Sequence, residues 1–162
     1  MPPPAARPGR HARPLSTVDY RLLTLSPPID PMLAKLSPQI PSGSFAYEPK
    51  WDGFRCLAFV SAGSVYLQSR DRRPLARYFP ELEEAIPRLL PRPAVLDGEI
   101  VIMGARGLEF ETLQMRLHPA ESRVRKLSAE IPAGFVVFDV LLWDGKDLHG
   151  KPIEERRKTV EK

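Results

Sequence analysis

Proline sets the first limit on how this chain can fold. Ten of its 19 prolines lie within residues 1 to 41, and proline fixes φ and removes a backbone donor, which disfavours regular helix and sheet. The first 18 residues also carry three arginines and no acidic residue. We therefore predict a disordered Pro/Arg-rich tail over residues 1 to 28. Residues 29 to 162 suffice for one hydrophobic core and hence for one domain.

Alternating apolar residues predict β-strands after the proline-rich part. The pattern is strand-like from Phe45, and residues 54–60 and 64–70 flank a short Ser-Ala-Gly turn, which predicts a hairpin. Residues 94–103 are strand-like with charged residues inside, and residues 135–145 are apolar enough for a buried strand.

Helical periodicity is clearest in residues 77–90. Apolar side chains recur there at helical spacing, at Leu82, Ile86 and Leu89. Pro87 is expected to end or kink this helix early, because it lacks the N–H that a helix interior requires.

Two further helices are predicted nearer the end of the chain. Residues 108–117 favour a short helix, and Pro152 opens a charged helix that the sequence leaves unfinished at residue 162. We therefore expect a fragment. The order of strands and helices predicts an α+β fold with mainly antiparallel sheets.

Composition and charge narrow the functional class. Apolar residues make up 43% and charged residues 27% of the chain, as in soluble globular proteins, and no window approaches the ~18 apolar residues of a membrane span. The single cysteine, Cys56, excludes a disulfide framework or a cysteine metal site within the chain, which favours a reducing, cytoplasmic compartment. A net charge of +4 favours polyanionic partners.

A lysine between two carboxylates marks the most informative stretch, YEPKWDGFR, residues 47 to 55. A lysine nucleophile must be neutral, and the ordinary lysine pKa of about 10.4 leaves only about one side chain in 2,500 neutral at pH 7. Glu48 and Asp52 favour the ammonium form, so a nucleophilic Lys50 needs compensating cations, such as Mg²⁺ or arginines around a phosphate. The alternative interpretation is a solvated cluster of ion pairs in a loop.

Four positions of this stretch, from Lys50 to Arg55, form the pattern Lys-x-Asp-Gly-x-Arg, which arises by chance on the order of once in 10⁵ positions. The pattern resembles motif I of the covalent nucleotidyltransferases, which comprise ATP-dependent DNA ligases, RNA ligases and mRNA capping enzymes. Later stretches resemble further motifs in the same order: SRD at 69–71 (motif Ia), LDGEIV at 96–101 (motif III) and FVVFDVLLWDG at 135–145 (motif IIIa).

Other stretches are similar to one family in particular, the bacterial repair-type ATP-dependent DNA ligases. They are PMLAKL at 31–36, FETLQMRLH at 110–118 and FDVLLWDG at 138–145. The resemblance spans about residues 29 to 162 and implies a partial nucleotidyltransferase (adenylation) domain with antiparallel β-sheets flanked by helices. Because such ligases carry two later motifs and an OB domain, it also implies an incomplete adenylation domain, truncated after motif IIIa.

The resemblance implies roles for the basic residues of the motifs. Lys50 would be the adenylated nucleophile, and the backbone at Glu48 would read the adenine edge. Arg55 and Arg70 would bind the ribose, the AMP phosphate or the 5′-phosphate of a nick, for which a planar guanidinium is suited.

The acidic and aromatic residues have implied roles as well. Glu99 would accept a hydrogen bond from a ribose hydroxyl or help to hold a metal, and Phe138 would stack on the purine. Asp97 lies two residues before Glu99 and so shares its face of a strand; together with Asp52 and Gly53 it would support the motifs. The alternatives are an exposed polar face for the two carboxylates and a core position for Phe138.

The implied activity is that of an ATP-dependent DNA ligase with Mg²⁺, which seals DNA nicks through a lysyl-AMP intermediate in repair or recombination. The implied partners are nicked or broken double-stranded DNA, a complementing ligase fragment and end-joining proteins. Two alternatives stay open: an RNA ligase or capping-type nucleotidyltransferase, and a non-catalytic nucleotide- or DNA-binding remnant.

A set of basic residues is expected to contact the DNA backbone without reading its sequence. A solvated surface is the alternative interpretation of that set. Its members are Arg70, Arg72, Arg73, Arg77, Arg116, Arg123, Arg125 and Lys126.

Overall fold

The computed structural model describes residues 24–61 and 63–161. Most of the predicted disordered tail, residues 1–23, lies outside the described residues. The last part of that predicted tail is described, and its Leu25 packs together with Ile29 against a cluster of buried side chains.

Seven strands are present in the described residues, and five of them form one antiparallel sheet. The strands are β1 (Phe54–Ser61), β2 (Ser64–Ser69), β3 (Ala94–Val101), β4 (Met103–Gly104), β5 (Gly107–Leu108), β6 (Gly134–Trp143) and β7 (Lys146–Asp147). The sheet has the order β2-β1-β3-β6-β7, and β4 pairs with β5 in a separate two-stranded sheet. The predicted hairpin and both predicted later strands are therefore confirmed, as is the mainly antiparallel α+β class.

Four α-helices accompany the sheet in the described part of the chain. They are α1 (Pro80–Leu89), α2 (Phe110–Gln114), α3 (Glu121–Glu130) and α4 (Ile153–Val160). The sequence predicts α1, α2 and α4, but not α3, which buries only Val124 and so gives a weak apolar pattern. No helix in the described residues has the length and apolar character needed to cross a bilayer.

Helix α1 departs from its prediction at its end. Pro87 does not end the helix early, because the helix continues to Leu89 and closes with a hydrogen bond from the Leu90 N–H to the Ile86 carbonyl. Pro87 is itself buried beside Ile86, so apolar burial offsets the one hydrogen bond that proline cannot donate. Leu89, predicted on the apolar face, is 78% exposed.

The two faces of the sheet differ in character. The first carries the main core, in which Phe79, Leu82 and Ile86 of the α1 region pack on strand residues such as Leu67 and Ala58. Burial of each large apolar side chain contributes about 1.5–3 kcal/mol. This core packs against the first face and stabilises the sheet, whose second face carries the charged residues.

The second face is apolar at one end and charged at the other. A small cluster of Leu57, Phe59, Val95 and Leu142 covers the apolar end. Because side chains alternate along a strand, Arg55 shares this face of β1 with Leu57 and Phe59, and Asp97 and Glu99 share this face of β3 with Val95. Arg55 lies directly opposite Glu99 in the register, so a basic and an acidic side chain meet at the charged end.

Candidate active site

The segment that carries Lys50 is not a strand. The chain from residue 45 to residue 53 has no regular secondary structure, and β1 begins only at Phe54. The prediction of a strand-like segment from Phe45 is therefore wrong for residues 45 to 53. Lys50 is exposed, and it lies in a loop that leads into the charged end of the sheet.

Gly53 holds this loop against β3. A Cβ at this position would lie 2.2 Å from the carbonyl oxygen of Ile100 and 2.9 Å from Cγ of Glu99. Any side chain would push the loop away from the strand, so the close approach that this glycine permits is to β3 itself. The loop is also held at Glu48, whose Oε1 accepts a hydrogen bond of 2.7 Å from Nη1 of Arg157 in α4.

A cleft of about 860 Å³ lies between this loop and the sheet, a volume within the range of small-molecule sites. Most of the residues singled out in the sequence line it together. They are Glu48, Lys50, Asp52, Gly53, Arg55, Arg70, Glu99 and Phe138. The fold thus gathers residues from four separate sequence motifs around one cavity.

Asp97 lies below the cleft and holds Arg55. The Arg55 side chain donates from Nε to Oδ1 at 2.5 Å and from Nη2 to Oδ2 at 2.7 Å. Burial lowers the pKa of Arg55, but hydrogen bonding and the charge of Asp97 outweigh it, so that the pKa is raised overall. The same guanidinium lies 4.5 Å from the ring centroid of Phe138, a cation–π distance.

The pKa values of both carboxylates of the LDGEIV motif are raised. Burial raises the pKa of Asp97, although Arg55 opposes the shift. Burial also raises the pKa of Glu99, and the positive charges of Arg55 and Lys50 oppose it. Perturbed carboxylates beside a cleft are typical of functional sites.

Two alternative interpretations from the sequence are wrong. Asp97 does not belong to an exposed polar face, because it is only 3% exposed. Phe138 is not a core residue, because it is half-buried and faces the cleft beside Arg55. Both side chains take part in the charged end of the sheet.

Arg116 does not belong to the predicted DNA-contacting surface. It is 1% exposed and donates two hydrogen bonds, of 2.7 and 2.8 Å, to the carboxylate of Glu81. It also donates to the Tyr78 carbonyl. An arginine with these partners joins α1 to the chain after α2, and its burial keeps it from a DNA backbone. The other seven members of the predicted basic set are exposed.

Three charged residues that support the site from outside the cleft lining received no role from the sequence. Asp139 lies directly opposite Asp97 across β3 and β6 and is paired with Arg156 of α4, whose neighbour Arg157 holds Glu48. Asp139 lies in the stretch that resembles motif IIIa, but that resemblance gave it no role, and Arg156 and Arg157 lie in no motif. The arginine pairings join residues 17 and 109 positions apart, which no local pattern indicates.

The site offers oxygen donors to a hard cation, but no complete protein cage. Among the residues that the structure describes, no three His, Cys, Asp or Glu side chains are grouped as a metal site. Mg²⁺ commonly binds through one or two carboxylates and substrate phosphates. Glu99, which lines the cleft, fits that mode of binding.

Comparison with known proteins gives one consistent result. A family model described as ATP dependent DNA ligase domain matches residues 31–162. DNA ligase C of Mycobacterium tuberculosis is 52% identical over 138 residues, covering 85% of this chain and 38% of that protein. The multifunctional non-homologous end joining protein LigD of Pseudomonas aeruginosa is 33% identical over 159 residues, covering 98% of this chain and 17% of that protein.

A solved structure agrees with these relatives. A mycobacterial DNA ligase D complexed with ATP and MES superposes with a TM-score of 0.55 at 32% identity, covering 70% of this chain and 35% of that chain. The chain therefore spans less than two-fifths of the length of each of these proteins.

Proposed function

Since the chain belongs to the ATP-dependent DNA ligase family, we propose that Lys50 is its nucleophile and is adenylated by ATP. The Nζ atom of Lys50 attacks the α-phosphorus and forms a P–N bond. The bond from that phosphorus to the bridging oxygen of the β-phosphate breaks, pyrophosphate leaves and Nζ gives up its proton. The observation that supports this step best is the common cleft of Lys50 with Arg55, Glu99 and Phe138.

The remaining side chains of the cleft have complementary roles in this proposal. Arg70 is exposed at the cleft and its ion pair, with Asp71 at 3.6 Å, is exposed as well, whereas Arg55 is held by the buried Asp97. Guanidinium groups stabilise the charge that develops on phosphate oxygens during an in-line displacement. Phe138 stacks on the purine, and the backbone at Glu48 reads its edge.

Glu99 is the residue that we propose to bind the ribose hydroxyl or Mg²⁺. When bound, Mg²⁺ neutralises phosphate charge and orients the leaving group. Lys50 lies close enough for its charge to act on Glu99, so a cation held by Glu99 would oppose the ammonium form of the lysine.

The later steps of the proposal transfer AMP to a DNA end. The adenylate passes to the 5′-phosphate of nicked or broken double-stranded DNA, and a 3′-hydroxyl then displaces AMP. We propose a cytoplasmic DNA-repair setting, with end-joining proteins or a complementing ligase polypeptide as partners; a related protein carries non-homologous end joining in its name. The exposed arginines Arg72, Arg73 and Arg77 are candidates for contacts with the DNA backbone.

Labelling with nucleotide tests the first step. The protein is incubated with Mg²⁺ and with ATP or GTP labelled at the α-phosphate, and covalent label is measured after denaturation. We expect label from ATP and not from GTP. Lys50→Ala should abolish it, whereas Lys146→Ala, a matched change at an exposed lysine in β7, should leave it unchanged. Label that survives Lys50→Ala would refute the assignment, and ATP binding without label would identify a non-catalytic nucleotide-binding protein.

A further inference from the structure

Two buried carboxylates face each other across the centre of the sheet. Asp97 of β3 lies directly opposite Asp139 of β6, and these residues are 3% and 7% exposed. Like charges directly opposite each other across two strands destabilise a sheet, and buried charges without a partner are strongly destabilising. The pair therefore requires compensating cations.

Each carboxylate has its own arginine, supplied from a different part of the fold. Arg55 of β1 holds Asp97 with two hydrogen bonds. Arg156 of α4 holds Asp139 in the same bidentate way, from Nε to Oδ1 at 2.8 Å and from Nη2 to Oδ2 at 2.7 Å. The Arg156 and Asp139 side chains are 11% and 10% exposed. The four groups thus form a row of charges in the order Arg55, Asp97, Asp139, Arg156.

The row is electrostatically connected from end to end. Asp139 acts on Arg55 as well as on Arg156, and Asp97 acts on both arginines. If Arg156 were absent, Asp139 would keep the hydrogen bond that its Oδ1 accepts from the Val140 N–H but would lose its cation, and Arg55 would be the neighbouring cation able to compensate its charge. Arg55 would then be drawn from Asp97 and from the Phe138 ring.

We propose that Arg156 is a positioning residue for the candidate site: by neutralising Asp139, it keeps Arg55 on Asp97 and over Phe138. Arg156 is not among the residues that line the cleft, so it acts through the two carboxylates. The effect on catalysis rests on the proposed function, whereas the effect on Arg55 does not. A displacement of about 1 Å in a catalytic group lowers rates by up to roughly a hundredfold.

A double substitution shows whether Arg156 positions Arg55 or only holds α4 against the sheet. Arg156→Gln removes the cation that neutralises Asp139 and should lower the rate of lysine adenylation at saturating ATP by roughly tenfold to a hundredfold. Combining Arg156→Gln with Asp139→Asn removes the negative charge of residue 139, which would otherwise attract Arg55. The ion pair between α4 and β6 remains absent in this double variant. This double variant should recover adenylation to within about threefold of wild type, a factor equivalent to less than about 1 kcal/mol. Lys158→Gln, at an exposed position of the same helix, serves as the charge-matched control and should have no effect.

The position of the Arg55 side chain is measured independently by its Nε–H signal in a ¹⁵N-correlated NMR spectrum. This signal is assigned to Arg55 because it disappears in Arg55→Lys. The signal should shift in Arg156→Gln and return toward the wild-type position in the double variant. If the double variant stays as impaired as Arg156→Gln in both readouts, Arg156 only docks α4 and the proposal fails. If the wild-type chain forms no adduct, the proposed function fails for this chain, and the NMR signal alone decides the role of Arg156.

Discussion

Arg55 and Asp97 are joined by two hydrogen bonds between β1 and β3, and the same guanidinium covers the Phe138 ring. Removing the arginine leaves a buried carboxylate without its partner. We therefore predict that Arg55→Ala lowers the free energy of unfolding by about 1.5–3 kcal/mol, the range for hydrogen bonds to charged groups. Arg55→Lys keeps the charge but loses the bidentate fork, so its loss should be smaller. Urea unfolding measures both, and equal stability of Arg55→Ala and wild type would contradict the prediction.

Glu99 should stabilise the fold less than a neutral residue of the same shape. Burial raises its folded-state pKa above the ordinary value of 4.5, so its contribution to stability is fully present below that value and is lost as pH rises through the folded-state pKa. Glu99→Gln should therefore be more stable than wild type at pH 7, and the difference should shrink as the pH falls toward 4.5. Adduct formation should decrease in the same variant.

Urea unfolding of wild type and of Glu99→Gln, measured from pH 7 down to the ordinary glutamate pKa of 4.5, tests this prediction. A Glu99→Gln variant that is less stable than wild type at pH 7 would contradict the prediction, because it would show that the attraction of the carboxylate to Arg55 and Lys50 outweighs the cost of burying its charge.

Arg116 is predicted to act on stability and not on DNA binding. It is buried and bonded to Glu81, whose Oε1 also accepts from the Ala133 N–H. Arg116→Ala should lower the free energy of unfolding by about 3–5 kcal/mol, because it leaves a charge without its partner. Arg123→Ala, at an exposed position of α3, should change stability by less than about 0.5 kcal/mol. Equal effects of the two substitutions would refute this role.

Arg157 is predicted to restrain the loop that carries Lys50. Its bond to Glu48 joins two side chains that are each 39% exposed, so a double-mutant cycle of Arg157→Gln and Glu48→Gln should give a coupling of only about 0.2–1 kcal/mol. The local effect should be larger, with faster amide hydrogen exchange in residues 45–53. Lys158→Gln is the control, and unchanged exchange in Arg157→Gln would mean that the bond does not order the loop.

Local sequence patterns predicted the sheet well for a physical reason. The hairpin and the two later strands follow from apolar alternation and turn residues, which act over a few positions. Helix α3 escaped prediction because it buries a single side chain, Val124. The prediction that Pro87 ends the helix early failed because the cost of its missing hydrogen bond is outweighed by burial of its side chain in the core. That burial is a tertiary effect.

The site was predictable as a set of motifs but not as a charge network. Lys50, Glu99 and Phe138 are identified by their motif context, and the fold brings them to one cleft. The contribution of Arg156, and the burial of Arg116, depend on partners 17 and 35 residues away. Such pairings are set by the packing of α4 and α1, so charge patterns along the chain cannot distinguish them from a solvated surface.

The most direct test of the account is the location of the adenylyl group. Purified protein is incubated with ATP and Mg²⁺, digested and analysed by tandem mass spectrometry under conditions that preserve a P–N bond. The account predicts the mass of one AMP residue on Lys50. An adenylyl group on another residue, or an unmodified Lys50 at every time point, would contradict it.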